Sequence, residues 1–224
     1  MNRQYPLPLP HQEARTADDF MVTASNQDAM GWLDRWPQWP SSCLVIYGPA
    51  GCGKTHLMHV WLARSHGQEL SALSLADHQK GDRDPTQAEI WAIDNTEAIT
   101  GHAAHEEALF HLYNRVREAH GFLLLTAQQA PAQWGIHLPD LKSRLLSVPA
   151  IAIKSPDDAL LTALLIKQFR DRQIDVSTEV IHYLLPRVTR SPEAVRQLVT
   201  DLDHASLAEG RRISIALVKS LISF

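Results

Sequence analysis

The sequence is poor in cysteine and has no long apolar run. Its two cysteines, Cys43 and Cys52, form neither a CxxC pair nor a zinc-binding pattern, so we expect no disulfide framework and no structural zinc. No segment approaches the roughly 20 apolar residues of a membrane span, and the N-terminus lacks the apolar stretch of a signal peptide. We therefore expect a soluble cytoplasmic protein with no membrane partner.

The sequence also lacks a block of charge of one sign. It has 25 acidic and 21 basic residues, which gives a formal net charge of −4. A protein that grips DNA over a broad surface is usually basic, because neutralising the phosphates supplies much of the affinity. We therefore expect no strong direct binding to DNA.

Short apolar runs alternate with helical patterns as far as residue 154. The strand candidates are 44–47, 70–75, 90–93, 122–126 and 148–153, and residues 77–88 are polar and loop-rich. The helix candidates between them are 26–36, 55–66 and 105–120. Strands that alternate with helices imply right-handed crossovers, so we expect an α/β fold with a mostly parallel sheet.

After residue 154 the pattern contains helices only. The candidates are 157–172, 177–186, 192–209 and 214–222. Ser155-Pro156-Asp157 and Ser191-Pro192-Glu193 each read as a helix start, with a capping residue and a proline in the first turn. The sequence thus predicts a proline-punctuated tail over 1–15, an α/β domain over 16–154 and a small helical domain over 155–224.

The strongest single motif is a phosphate-binding loop that follows the first strand candidate. It fits G-x-x-x-x-G-K-[ST] and reads Gly48-Pro49-Ala50-Gly51-Cys52-Gly53-Lys54-Thr55. The glycines let backbone N–H groups point at phosphate oxygens, and the helix that follows presents its positive end and also carries His56. Lys54 would reach the β- and γ-phosphates, and the Thr55 hydroxyl would bind Mg²⁺.

Asp94 ends the third strand candidate, where an acidic residue can hold the Mg²⁺. The next residue is Asn95, where many such ATPases have an acidic side chain that polarises the attacking water. Because a neutral amide cannot accept that proton, we expect the site to bind ADP or ATP with Mg²⁺ and to hydrolyse ATP weakly.

Several short motifs, in this order along the chain, resemble the replication initiator DnaA. They are the phosphate loop, Ile93-Asp94-Asn95, Leu112-Tyr113-Asn114-Arg115, Leu141-Lys142-Ser143-Arg144 and Val195-Arg196-Gln197-Leu198. Without the N-terminal helicase-interaction domain of DnaA or its DNA-binding helix-turn-helix, the chain looks like the Hda family of DnaA-related regulators. The resemblance implies an AAA+ P-loop domain of three layers, followed by a helical lid.

The N-terminal tail carries a further resemblance. Gln4-Tyr5-Pro6-Leu7-Pro8-Leu9 is similar to the peptide with which the Hda family binds the DNA polymerase sliding clamp. Gln4, Leu7, Pro8 and Leu9 agree with that peptide, whereas Tyr5 and Pro6 depart from it. An extended peptide with prolines loses little entropy when it enters an apolar groove, so we expect these residues to bind the clamp.

The resemblance also assigns two arginines. Arg144 resembles the arginine finger that acts in trans on a neighbouring subunit's γ-phosphate, and Arg196 resembles the lid arginine that contacts phosphate of its own chain. The sensing position after the fourth strand falls near 126–128, where the family commonly has Asp in place of Gln128.

These features together predict a negative regulator of replication initiation. It would bind adenine nucleotide and the DNA-loaded clamp (the polymerase beta subunit) and stimulate hydrolysis of DnaA-bound ATP. An independent AAA+ ATPase that loads or remodels replication proteins is the alternative, and a nucleotide-dependent tether is a third possibility. A homo-oligomer is compatible with an arginine that acts in trans.

Overall fold

The computed structural model describes residues 21–72, 75 and 89–221. The chain divides into two compact units, Arg15–Ser155 and Pro156–Phe224, and each is described by itself. Within the described residues, no helix is both long enough and apolar enough to cross a lipid bilayer. The predicted tail and the predicted loop over 77–88 lie outside the described residues.

The first unit contains a five-stranded parallel sheet. Its strands are β1 Cys43–Tyr47, β2 Gln68–Leu70, β3 Ile90–Ile93, β4 Phe122–Ala127 and β5 Ala150–Ala152. They lie side by side in the order β2-β3-β4-β1-β5, and every neighbouring pair is parallel. The central strands are near-continuous apolar runs because both faces of a parallel sheet are covered by helices.

Four α-helices cover this sheet. They are α1 Gln27–Asp34, α2 Lys54–Ser65, α3 Ala103–Glu118 and α4 Pro139–Ser147. Alternate residues of the strands point to opposite faces. One apolar cluster joins strand residues such as Val45 and Leu125 to α3 and α4. A second cluster joins Ile46 and Leu124 to α1 and α2. The unit is therefore a three-layer sandwich, with α2 and α4 on opposite faces of the sheet.

The second unit is built from helices. Its helices are α5 Asp158–Asp171, α6 Thr178–Leu184, α7 Pro192–Glu209 and α8 Ile215–Leu221. They enclose their own core, which includes Leu161, Phe169, Val195 and Leu217. Helix α7 has the predicted start, because the Ser191 side chain accepts a hydrogen bond from the backbone N–H of Ala194 and Pro192 occupies the first turn.

Two predicted boundaries are wrong. The second strand covers Gln68–Leu70, not 70–75, because it is an edge strand that pairs only with β3 and buries only Leu70. Helix α5 is capped by Asp157, whose side chain accepts from the Leu160 N–H at 2.8 Å, so Ser155 and Pro156 precede the cap.

Helix α4 is an element that the strand and helix patterns did not predict. Its start carries the usual signals, with Pro139 in the first turn and Asp140 beside it. Its nine residues bury only Leu141 and Leu145, so the apolar pattern is too short to stand out. This helix carries Arg144 in its last turn.

Candidate functional site

The predicted phosphate loop connects β1 to α2 at the carboxyl end of β1, which lies between β4 and β5 in the sheet. Gly51 and Gly53 have φ angles of 72° and 102°, a left-handed conformation that glycine adopts without strain. At Gly48 a Cβ atom would lie 2.3 Å from the carbonyl oxygen of Ile153, so only glycine fits there. Pro49 and Ala50 are exposed at the turn. The loop has the backbone freedom that an anion-cradling turn requires.

Lys54 is the first residue of α2, and its side chain is buried against the loop. Its Nζ donates hydrogen bonds to the carbonyl oxygens of Gly48 at 2.8 Å and Pro49 at 2.9 Å. The ammonium group therefore lies inside the turn that the loop forms. Its positive charge adds to that of the α2 N-terminus at the same place.

Thr55 and Asp94 come together although they are 39 residues apart in the sequence. The Thr55 hydroxyl donates to Asp94 Oδ2 at 2.7 Å. Asp94 follows β3, and Thr126 of the adjacent strand β4 donates its hydroxyl proton to Asp94 Oδ1. Strand β4 lies between β3 and β1, the strand that leads into the phosphate loop. Thr126 therefore connects Asp94 to the strand next to β1. Since Thr126 is fully buried, its hydrogen bond fixes the orientation of the Asp94 carboxylate from the side of the protein core.

This donor set suits a divalent cation with a phosphate ligand. One carboxylate and one hydroxyl are hard oxygen ligands, and Mg²⁺ typically takes the rest of its octahedron from phosphates and water. Within the described part of the chain, no group of three or more His, Cys, Asp or Glu side chains could hold a metal ion. The arrangement therefore fits a metal that arrives with a nucleotide better than a metal held by protein alone.

Asn95 adopts a left-handed conformation, with φ of 53°, and its side chain is exposed. Its backbone N–H donates to Asp94 Oδ1 at 3.0 Å and to Thr126 Oγ at 3.1 Å. The neighbouring carboxylate of Glu97 accepts from the backbone N–H groups of Gln128 at 2.7 Å and Gln129 at 3.1 Å. Glu97 thus anchors the segment that leaves β4, while the Gln128 side chain is exposed.

Cys52 and His56 complete the loop and the first turn of α2. The Cys52 thiol is buried, and burial raises its pKa, although the Lys54 ammonium at 3.9 Å acts in the opposite direction. A raised pKa leaves little reactive thiolate at neutral pH. His56 is half-buried on α2.

Arg144 is half-buried at the end of α4 and contacts two aromatic rings of α3. The carbon of its guanidinium lies 5.1 Å from the Phe110 ring centroid and 5.6 Å from the Tyr113 ring centroid. Arginine stacks favourably on such rings, which restricts the side chain. Arg144 therefore lies in the layer of helices on the face of the sheet opposite α2.

Arg196 lies near the start of α7 in the helical unit, where it forms an ion pair with Glu193. The four predicted clamp-binding residues, Gln4, Leu7, Pro8 and Leu9, lie outside the described residues. Sequence reasoning placed a sensing position near 126–128 but did not connect Thr126 with Asp94, and it did not single out Glu97. A buried threonine and a loop carboxylate carry no motif until the strand order places them beside Asp94 and the end of β4.

The parallel sheet, the phosphate loop and the separate helical unit together have the fold of AAA+ P-loop domains. The fold is similar to domain III of the Thermotoga maritima replication initiation protein DnaA, at 17% identity and a TM-score of 0.77, over 96% of this chain and 98% of that one. AMPPCP-bound DnaA from Aquifex aeolicus is similar at 19% identity and a TM-score of 0.72, over 86% of this chain. This chain spans 66% of the Aquifex chain, just under two thirds of its length. The predicted fold class is confirmed.

The helical unit matches a known family model. Residues 157–222 match the family model described as the Hda lid domain, so the chain carries the lid domain of the Hda family. The predicted resemblance to that family is thereby confirmed. An uncharacterized protein of Haemophilus influenzae is 26% identical over 241 residues, and the alignment covers 100% of both chains.

Proposed function

We propose that this protein is a cytoplasmic, DnaA-related regulator that binds adenine nucleotide and the DNA-loaded sliding clamp and stimulates hydrolysis of DnaA-bound ATP. The match of residues 157–222 to the Hda lid domain carries the proposal. Converting DnaA to its ADP form would prevent repeated initiation of replication. The two solved DnaA structures support the proposal through their fold, and one of them is of AMPPCP-bound DnaA.

In this proposal ADP or ATP binds at the phosphate loop. The N–H groups around Gly51 and Gly53 receive phosphate oxygens, the Lys54 ammonium neutralises them, and Thr55 and Asp94 hold Mg²⁺. The 2.7 Å contact between Thr55 and Asp94 supports this assignment, because one cation can then contact both oxygens. Arg196 of the lid would contact phosphate from the same chain.

Intrinsic hydrolysis is slow in this proposal. Asn95 follows the metal-binding aspartate, and its amide cannot take a proton from the attacking water. The nearest downstream carboxylate, that of Glu97, accepts hydrogen bonds from two backbone N–H groups just after β4 and is therefore not available as the base. The nucleotide would then stabilise a state of the protein and would not be turned over rapidly.

Arg144 is the group proposed to act on DnaA. During γ-phosphate hydrolysis, negative charge spreads over the phosphate oxygens, and a guanidinium supplied in trans stabilises it by about 10³–10⁵ in rate in GTPase examples. Two features support this role. Arg144 lies in the helical layer opposite α2, and the Phe110 and Tyr113 rings hold it in one region of the surface.

The clamp contact is proposed for the tail. Its support is the sequence alone, since Gln4, Leu7, Pro8 and Leu9 match the family peptide. Docking on a DNA-loaded clamp would raise the local concentration of the protein near DnaA at the replication machinery. It would also explain how a chain with a net charge of −4 acts at DNA without strong direct binding.

The test is single-turnover hydrolysis of ATP bound to DnaA, measured with and without this protein and with DNA-loaded clamp. Wild-type protein should accelerate hydrolysis, and Arg144→Ala and Arg144→Lys should both abolish the acceleration. Lysine fails because it lacks the planar fork that contacts two oxygens. Lys142→Ala, an exposed cation of the same helix, is the matched control and should retain full stimulation.

Two other results would redirect the proposal. Rapid steady-state ATP hydrolysis by the purified protein alone would favour an independent AAA+ ATPase. Full stimulation by Arg144→Ala would remove the finger assignment and leave a nucleotide-dependent tether as the better description.

A further inference from the structure

Glu106 is the one fully buried acidic residue among the described positions, with a side chain in the first turns of α3 that is 1% exposed. Its two carboxylate oxygens accept hydrogen bonds from three backbone N–H groups. Oε1 accepts from Gly101 at 2.7 Å, Oε2 accepts from Leu138 at 2.7 Å, and the His137 N–H lies 3.0–3.1 Å from both oxygens. A buried carboxylate is costly unless such donors satisfy it, so its partners indicate what it holds.

Two of these donors belong to the segment that enters α4. Leu138 is the N-cap residue of α4, and its carbonyl accepts the helical hydrogen bond from Lys142 at 3.0 Å. Leucine has no polar side-chain atom, so Leu138 cannot itself cap the helix with its side chain. Glu106 therefore holds the N-terminus of α4 from the neighbouring helix α3.

The other end of α4 contacts the same face of α3. Phe110 and Tyr113 lie four and seven residues after Glu106, a spacing that places all three side chains on one side of a helix. The two rings hold the Arg144 guanidinium, while Glu106 holds the backbone before Pro139. One stripe of α3 thus defines both the start of α4 and the position of its arginine.

We propose that Glu106 is a positioning residue for Arg144. By anchoring the residues that precede α4, its carboxylate fixes the rotation of α4 about its own axis and its position along α3. The guanidinium of Arg144 is thereby placed over the Phe110 and Tyr113 rings. This inference rests on the proposed function of Arg144 as a finger acting in trans. Glu106 itself contacts neither nucleotide nor partner in this role.

The first test is kinetic. Glu106→Gln keeps the size of the side chain but turns an amide NH₂ toward backbone donors, so the contact to Gly101 or the contact to Leu138 is lost and His137 keeps only one acceptor. The maximal rate of DnaA-bound ATP hydrolysis should fall about 10–100-fold, as for a misplaced catalytic group. The half-saturating concentration of the protein should not change, because the tail and the nucleotide site are untouched. Glu107→Gln, an exposed neighbour on α3, is the matched control and should behave as wild type.

A loss confined to the hydrolysis rate separates positioning from a general loss of structure. If Glu106 acts through Arg144, Glu106→Gln should slow hydrolysis of DnaA-bound ATP while its ADP affinity and its capture by the clamp equal those of the wild type. A parallel loss of ADP affinity or of clamp capture would overturn the inference. An unchanged maximal rate for Glu106→Gln would also overturn it.

The second test needs no activity. The rings of Phe110 and Tyr113 should shift the NMR resonances of the Arg144 side-chain protons upfield, and Glu106→Gln should return them toward the values of an exposed arginine. If wild-type protein fails to stimulate DnaA, the proposed function is wrong, and these resonances still decide whether Glu106 positions Arg144. Arg144 resonances that keep their wild-type, upfield positions in Glu106→Gln would refute the positioning. If Glu106→Gln does not fold, Glu106→Asp carries both tests, because it keeps the charge and withdraws the oxygens from α4.

Discussion

At the residue scale, Thr126 determines how the Asp94 carboxylate is presented. Its buried hydroxyl donates to Asp94 Oδ1, which leaves Oδ2 facing the Thr55 hydroxyl at 2.7 Å. A hydroxyl is the smallest group that can do this without bringing a second charge beneath the metal-binding oxygen. Thr126 therefore orients the carboxylate that we propose to hold Mg²⁺ without being a proposed ligand itself.

We expect Thr126→Val, which keeps the side-chain volume, to weaken Mg²⁺-dependent nucleotide binding. Loss of a hydrogen bond to a charged group typically costs about 1.5–3 kcal/mol, or roughly 10–100-fold in affinity. Titration calorimetry with ADP should show this loss in the presence of Mg²⁺ and little change with EDTA. Thr126→Ser keeps the hydroxyl and is the control. Equal weakening under both conditions would contradict a role in presenting Asp94.

Glu106 gives the free energy of unfolding a specific dependence on pH. Burial acts to raise its pKa, but hydrogen bonds from Gly101, Leu138 and His137 outweigh burial, and the pKa lies below its ordinary value. A depressed carboxyl pKa stabilises the fold above the ordinary value and loses that contribution as pH falls through the depressed value.

We therefore expect Glu106→Gln to lower the free energy of unfolding by about 1–3 kcal/mol at neutral pH, through unsatisfied buried N–H groups. The difference from wild type should shrink as pH falls below the ordinary Glu pKa of about 4.3, because the unfolded wild type then takes up a proton more readily than the folded state does. Urea unfolding from pH 3 to pH 7 measures it. A difference that is constant across this range would show that the charge of Glu106 has no part in stability.

At the scale of elements, both ends of α7 agree with the sequence, whereas the cap of α5 is Asp157 and not the predicted Ser155. Ser191-Pro192 starts α7, and Gly210 ends it in a left-handed conformation with φ of 61°. These signals act through backbone groups within a few residues, so no knowledge of the partner helices is needed. The edge strand β2 was harder because its pairing with β3, and not its own pattern, makes it a strand.

The cap of α7 supports a testable stability difference. Ser191→Ala removes the acceptor for the Ala194 N–H, and such losses cost about 0.5–2 kcal/mol. Thermal unfolding should detect this cost, while Ser191→Asp should recover it because aspartate also caps helices. Equal destabilisation by both variants would show that the serine matters for some reason other than capping. Arg196, which we propose to contact nucleotide, lies five residues after Ser191, so nucleotide binding should also weaken when the cap is lost.

At the scale of the whole molecule, the proposed functions occupy separate parts of the chain. The phosphate loop and Arg144 lie in the Arg15–Ser155 unit, and the lid is a compact unit with its own core. The residues over 4–9 proposed to bind the clamp lie outside the described part of the chain. Changes in one part should therefore leave the activities of the others measurable.

We expect alanine at Gln4, Leu7 and Leu9 together to remove capture by the sliding clamp. Each leucine that enters an apolar groove contributes roughly 1.5–3 kcal/mol when fully buried. ADP affinity and the melting temperature should equal those of the wild type, since the changes precede the described core. Surface plasmon resonance on immobilised clamp gives the measurement. Capture at wild-type strength would place the clamp contact elsewhere.

The sequence by itself determined the features that depend on neighbouring residues. The phosphate loop, the alternation of strands and helices up to residue 154, the helical remainder and the Ser191 cap all follow from short patterns, because turn geometry and periodicity are local properties. These patterns located Lys54, Thr55 and Asp94 before any strand order was known.

Only the tertiary structure decided which distant residues share a site. Thr126 meets Asp94 because β4 lies between β3 and β1, an order that differs from the order along the chain. Glu106 meets Leu138 because α3 and α4 cover the same face of the sheet. Glu106 does not stand out in the sequence, and Thr126 falls only within the predicted sensing segment 126–128. A buried carboxylate and a buried hydroxyl gain their roles only from the groups that packing places beside them.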